Sequence, residues 1–219
     1  MIYESAYFSL IIQFLTGIID VYGLSIELPK NKIILRELLK LELFVQTIEF
    51  IFYSWMVNNI NNYSNITIFR YFDWIITTPT MLLTLMTYLD NKATSLQEYI
   101  NNNKHLVIKV ITLNLIMLVF GMLGELKYLN NNYAVLFGFI PFIYYYKLIY
   151  ESHINNNINK YQKFMFYFFA FVWALYGIAA LLPYNEKNTF YNILDLFAKN
   201  FTGIFLVYII YQNRIKSNT

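Results

Sequence analysis

Cysteine is absent from the 219 residues, which excludes a disulfide framework, a thiolate metal site, a haem joined through a CxxC motif and a cysteine nucleophile. Charge is scarce: Asp, Glu, Lys and Arg together make 13% of the chain, about half the share usual in a soluble domain. Histidine occurs only as His105 and His153, in polar stretches well apart. A histidine-based zinc or di-iron site is therefore not expected, and no metal is assigned. The net charge of +3 is small and its carriers are scattered, so nucleic acid is not an expected partner. What abounds is apolar side chain. Hydrophobic residues make 58% of the chain and aromatic ones 20%, with a mean hydropathy of +0.43. Those proportions exclude an ordinary soluble enzyme and point to a lipid bilayer as the surroundings.

A helix needs roughly 20 apolar residues to cross the hydrocarbon core. Seven runs near that length can be marked, over 6–26, 38–57, 67–89, 106–126, 133–150, 164–182 and 190–211. Short polar breaks separate them, such as 58–62, 101–104, 130–132 and 155–159. The alternating ten-residue segments of a membrane β-barrel are not seen. The expectation is an all-α membrane protein: one seven-transmembrane-helix bundle over residues 1–219, a single multi-pass domain in a cell membrane. Basic residues near the span ends divide unequally. Lys30, Lys32, Arg36, Lys40, Lys92, Lys104, Lys109, Lys147, Lys160, Lys163, Arg214 and Lys216 lie on one side, Lys127 and Lys187 on the other. The positive-inside rule then puts the C-terminus inside and the N-terminus outside. Near the N-terminus stands Glu4 rather than a basic cluster, which favours a retained first helix over a cleaved signal.

Arg70 and Lys199 fall inside spans, where a charge costs about 2.5–3.5 kcal/mol on insertion scales and marks a site of function. Arg70, Asp73, Thr77, Met81 and Thr84 share one face of the third span, and Asp195 and Lys199 stand one turn apart in the seventh. Two readings fit that spacing. One is a pair of structural ion pairs, Arg70 with Asp73 and Asp195 with Lys199. The other is a desolvated lysine whose amine forms a Schiff base with an aldehyde. Asp73 and Asp195 would then be counterions, Arg70 would balance the second negative charge, and Trp74, Trp173 and Tyr176 would wall a slot for a long apolar polyene.

The run Arg70-Tyr71-Phe72-Asp73-Trp74-Ile75-Ile76-Thr77-Thr78-Pro79 resembles the third-helix signature of the microbial, or type 1, rhodopsins. Leu194-Asp195-Leu196-Phe197-Ala198-Lys199 resembles their retinal-attachment helix. The resemblance implies that Lys199 carries all-trans retinal as a protonated Schiff base. It further implies that Asp73 is the primary counterion and proton acceptor, Asp195 the secondary one, and Thr77 the hydroxyl that orients Asp73. Trp74, Thr78, Met81, Asn114, Met117, Gly121, Trp173 and Tyr176 match the family's retinal pocket, and Tyr53 a partner of the counterion. Departures are specific. Thr84 stands where outward proton pumps of the family carry a carboxylic acid. Gly177 and Ala180 replace the usual sixth-helix proline and tryptophan, which predicts a looser pocket. The paired glutamates of some pumps have no clear counterpart around Asn185-Glu186-Lys187-Asn188.

Further polar stripes mark the first span, Ser9, Gln13, Thr16 and Asp20, and the second, Glu42, Gln46, Glu49 and Tyr53. A bland account makes Glu42 a membrane-edge residue and Glu49 a neutral, hydrogen-bonded acid that ties helices together. The chain is also similar, over fewer residues, to the channel-forming rhodopsins of algae and, more closely, of giant viruses. That similarity implies a central gate of Ser9, Glu49, Lys199 and Asn200, an inner constriction at Glu42 and an outer one at Arg70. It implies a light-gated cation channel for sodium and potassium, not an enzyme, with calcium as a possible ligand among the carboxylates. Competing expectations are a light-driven outward proton pump, a sensory rhodopsin acting through a partner, and a retinal-free structural or carrier protein. The partners expected are the bilayer, monovalent cations and further copies of the chain in a homo-oligomer.

Overall fold

The computed structural model describes residues 1–90, 92–154 and 158–215. All regular structure among them is helical: α1 (Ile2–Ser25), α2 (Ile33–Asn59), α3 (Thr67–Leu89), α4 (Leu96–Asn102), α5 (Lys104–Glu125), α6 (Asn131–Ile149), α7 (Lys160–Ala179), α8 (Tyr184–Asp195) and α9 (Phe201–Gln212). A wide π turn over Tyr150–Ile154 prolongs α6, and another over Leu196–Asn200 joins α8 to α9. The result is seven long rods, one on each expected span. Lys216 and residues 155–157, part of the expected fifth break, lie outside the described residues.

Rods overrun the apolar stretches because a helix continues wherever its backbone hydrogen bonds do, whatever the side chains. The second begins at Ile33 rather than 38 and the last at Tyr184 rather than 190. Helix α4 lies in the chain between the third and fourth spans and has no counterpart among them. Its start is legible in retrospect: the Ser95 hydroxyl accepts from the Glu98 amide at 3.2 Å, a side-chain cap. The Glu98 carboxylate accepts in turn from the Thr94 hydroxyl and amide. Those hydrogen bonds hold its carboxyl below the usual glutamate range. Helix α7 opens on a reciprocal capping box between Asn159 and Gln162.

The rods pack as a closed ring, α1 on α2, α2 on α3, α3 on α5, α5 on α6, then α7, with α8 and α9 returning to α1. The distribution of polarity is the reverse of a soluble bundle's. Phe14, Ile140 and Phe171 are 57%, 62% and 65% exposed, while Asp20, Glu42, Glu49, Arg70 and Asp195 are fully buried. A bilayer removes that apolar outer surface from water. Five rods are long and apolar enough to cross by composition alone. The others are α2, with five charged residues, and α3, with its polar face.

The α5–α6 turn stores a small strain. Lys127 has φ 59°, in the left-handed region. The Lys127 amide donates to the Gly124 carbonyl and the Tyr128 amide to that of Leu123, at 3.0 Å each, a Schellman ending with lysine at the position glycine prefers. Lys127→Gly is expected to stabilise the retinal-bound protein by about 1 kcal/mol. An unchanged melting temperature would contradict this account of the turn.

Candidate functional site

The π stretch Leu196–Asn200 widens the last rod where it carries Lys199, as π insertions commonly do at functional positions. Lys199 is 2% exposed. Its Nζ donates to Asp73 Oδ2 at 2.7 Å, with Glu49 Oε1 at 3.3 Å and Asp195 Oδ1 at 3.4 Å. Three carboxylates from three rods thus converge on one amine. Asp73 and Asp195, the two carboxylates expected near the amine, both lie within 3.4 Å of it. Glu49 is nearer the amine than a gate merely at the same depth requires. Neither of its oxygens has a well-directed hydrogen bond, so the contact with Nζ is electrostatic.

Arg70 does not pair with Asp73. The guanidinium reaches outward instead: Nη1 lies 3.4 Å from Asp195 Oδ2 and from the Tyr53 hydroxyl, and Nε donates to Asn188 Oδ1 at 3.1 Å. Nη2 donates to Asn192 Oδ1 and to the Asn188 carbonyl. The Tyr53 and Tyr176 hydroxyls each donate to Asp195, both at 2.7 Å. Asp195 is therefore held by two phenols and a guanidinium while it faces Lys199. Asn192 extends the network to the first rod, donating to Ser5 Oγ at 2.8 Å and to the Ile2 carbonyl at 3.2 Å. The Ser9 hydroxyl donates to the Asn192 carbonyl at 2.9 Å, so its hydrogen bond faces this outer network. Sequence reasoning missed Asn188 and Asn192. Their signal was the step of four, three and four from Asn188 through Asn192 and Asp195 to Lys199, lost in an asparagine-rich chain.

The threonines serve the backbone. Thr77 Oγ1 donates to the Asp73 carbonyl at 3.0 Å, not to its carboxylate, and Asp73 Oδ1 is left without a partner. Thr78 Oγ1 bonds the Trp74 carbonyl and Asn114 Oδ1, each at 2.8 Å. These bonds flank Pro79, which cannot donate to the turn before it. Asn114 thus meets the pocket through Thr78, and Thr84 is buried with its hydroxyl unpartnered.

From Lys199 a cavity runs between α3, α5, α6 and α7, lined by the expected Trp74, Thr78, Met81, Met117, Gly121, Trp173 and Tyr176. Trp74 meets Tyr176 and Tyr191 edge-on, with ring centroids 5.7 and 5.1 Å apart. Gly177 and Ala180 also line it. The pocket is not loose at Gly177, however: a Cβ there would lie 2.7 Å from the Phe139 ring, which takes up the space a side chain would fill. An apolar, aromatic-walled slot with one amine at its end fits a long apolar aldehyde joined to that amine as an imine.

Outside this site, among the described residues, one further charged pair is buried. Lys187 Nζ lies 2.5 Å from Glu125 Oε1, joining α8 to α5. Glu125→Ala leaves the lysine unpaired and is expected to lower stability by about 3 kcal/mol, with Glu125→Leu plus Lys187→Met recovering most of it. A melting temperature unmoved by the single change would contradict a buried pair.

Residues 4–213 match the family described as bacteriorhodopsin-like protein. The fold superimposes on the crystal structure of the viral rhodopsin OLPVRII with a TM-score of 0.83 and 26% identity, covering 96% of this chain and 98% of that one. The green-light absorbing proteorhodopsin of Gamma-proteobacterium EBAC31A08 is 27% identical over 64% of this chain and 59% of its own. The chain thus spans about three-fifths of that relative. Xanthorhodopsin, described as a light-driven ion pump with dual chromophore, shares the fold at 17% identity, with a TM-score of 0.74 over 97% of this chain and 93% of that one. With a family match over nearly all its length and Lys199 buried at the end of an apolar slot, the chain belongs to the bacteriorhodopsin-like, or microbial type 1, rhodopsins, multi-pass membrane proteins that bind retinal through a Schiff-base lysine.

Proposed function

We propose that the chain, as a single domain over residues 1–219, is a light-gated cation channel whose ions pass along the seam between α1, α2 and the last rod. One observation carries this reading: Asp20, Glu42, Glu49 and Asn200, all buried on those elements, hold side-chain atoms without a hydrogen-bond partner. Each such atom costs about 1–3 kcal/mol when kept dry. A row of them is an unfavourable way to pack helices and a natural lining for a route that water and ions enter. The lysine-rich starts of α2, α5 and α7, with Arg214 just past α9, support an inside C-terminus and an outside N-terminus. Glu42 then lies on the inner half of the route, as does Asp20, which packs against Gly203 of α9.

In this reading the outer end is shut by Arg70 with Asn188, Asn192, Tyr53 and Asp195, and the middle by Glu49 against Lys199. Retinal, bound as an imine on Lys199, supplies a light-driven change of shape at the Nζ end of the slot. Asp73, the nearest carboxylate, accepts the proton that Nζ gives up. Nζ then no longer attracts Glu49, and the contact that holds α2 against the last rod loosens. Thr84 has no acid proton to return to Nζ, which favours a slow recovery and a long open time over rapid pumping. The carboxylates favour cations, sodium and potassium passing; calcium, expected as a ligand among the carboxylates, has no such site, because among the described residues no three acidic or histidine side chains converge to hold a metal ion. Proteoliposomes with a preset potassium gradient test the reading: light should dissipate the gradient. A light-built proton gradient with potassium retained would replace it with the second reading, an outward proton pump. That reading has support in the short Asp73 to Lys199 contact and in the shared fold of a protein described as a pump.

A further inference from the structure

Between α1 and α2 a groove of about 330 Å³ opens on the lipid-facing side of the bundle. Gly17 makes the opening, since a Cβ built there meets nothing within 4 Å. The rings of Phe14 and Phe50, 6.2 Å apart, and the side chain of Ile18 give it apolar walls that face the hydrocarbon. Gln13 and Gln46 also line it. Each is 2% exposed, and neither the oxygen nor the nitrogen of either amide has a partner. Thr47, at the rim, donates its hydroxyl to the Leu43 carbonyl at 2.8 Å.

The chemistry of this lining restricts what can occupy it. No charged side chain borders the groove, so a carboxylate, phosphate or ammonium head would be desolvated without a counter-charge. Both glutamines sit near the middle of their rods, where the surrounding lipid supplies no water. Two amides with free carbonyl oxygens and free NH2 groups match a group that donates and accepts at once, which is a hydroxyl. We propose that the groove binds a neutral, hydroxyl-bearing lipid from the bilayer, its hydroxyl bridging Gln13 and Gln46 and its hydrocarbon body lying along Phe14, Ile18 and Phe50. The site does not depend on the channel reading and would exist equally beside a pump.

The test uses the full retinal-bound chain in nanodiscs, with a long-chain primary alcohol carrying a mid-chain diazirine as the probe and the matching diazirine alkane as control. Illumination in the ultraviolet should label peptides containing residues 13–21 and 43–50. The labelling should saturate, and unlabelled alcohol should compete where alkane does not. Gly17→Leu should remove most of it while leaving the visible absorption band in place. The Gln13→Leu, Gln46→Leu variant keeps the groove's shape and should weaken competition by the alcohol about tenfold, the size of one lost hydrogen-bonded contact. Equal labelling by alcohol and alkane would reduce the groove to an apolar one and overturn the proposal. Labelling spread evenly over the lipid-facing sides of α5 and α6 would overturn it too, as would labelling indifferent to Gly17→Leu. So would labelling that appears only when an oligomer is diluted to monomers, which would assign the groove to a second copy.

Discussion

Lys199→Ala, supplied with all-trans retinal, should show no visible absorption band. The slot around Trp74, Trp173 and Tyr176 remains in that variant, so free retinal can still enter, but no amine is left to bind it covalently. The change also leaves Glu49, Asp73 and Asp195 facing one another with Arg70, among the described residues, as their only nearby cation, and lower yield is expected for that reason. Lys199→Arg separates the two effects. A guanidinium keeps the positive charge among the carboxylates but forms no imine under these conditions. The arginine variant should therefore fold with better yield than the alanine variant and be equally colourless. A visible band in either variant would place the attachment elsewhere.

The second large effect is expected at Glu49. Its carboxylate lies 3.3 Å from Lys199 Nζ without a directed hydrogen bond, which ties it to the charge of that amine rather than to the architecture around it. Glu49→Gln preserves shape and removes the charge. Retinal should still bind, because Asp73 and Asp195 both remain within 3.4 Å of the amine. Light-evoked cation flux should fall about tenfold, the effect of roughly 1.4 kcal/mol on ion passage through the middle of the seam. Currents equal to those of the unaltered protein, with the visible band intact, would remove Glu49 from the gate and return it to a packing role.

Much of this was legible in the residues. The seven spans follow from the length of apolar runs, and the Arg70 to Thr84 face and the Asp195 and Lys199 turn from periodicity, each a property of one helix at a time. What periodicity does not hold is which rods touch and at what depth. Glu49 and Lys199 are 150 residues apart, and only the packing of α2 against the last rod brings them together. Arg70 and Asp73 are three residues apart, yet the guanidinium's length lets it reach the amides of Asn188 and Asn192 and leaves Asp73 to the lysine. The expected looseness at Gly177 failed for a related reason: a missing side chain predicts a gap only if no neighbour fills it, and Phe139 does. The Lys187 and Glu125 pair escaped notice because both residues fall near span ends, where charge usually signals solvent.

The most direct test of the channel account is whole-cell photocurrent against voltage, with retinal supplied and sodium, potassium, protons and calcium varied on each side in turn. The account predicts currents that reverse sign at a potential set by the sodium and potassium gradients. Currents that stay outward at every accessible voltage and ignore those gradients would contradict it and make the chain a pump.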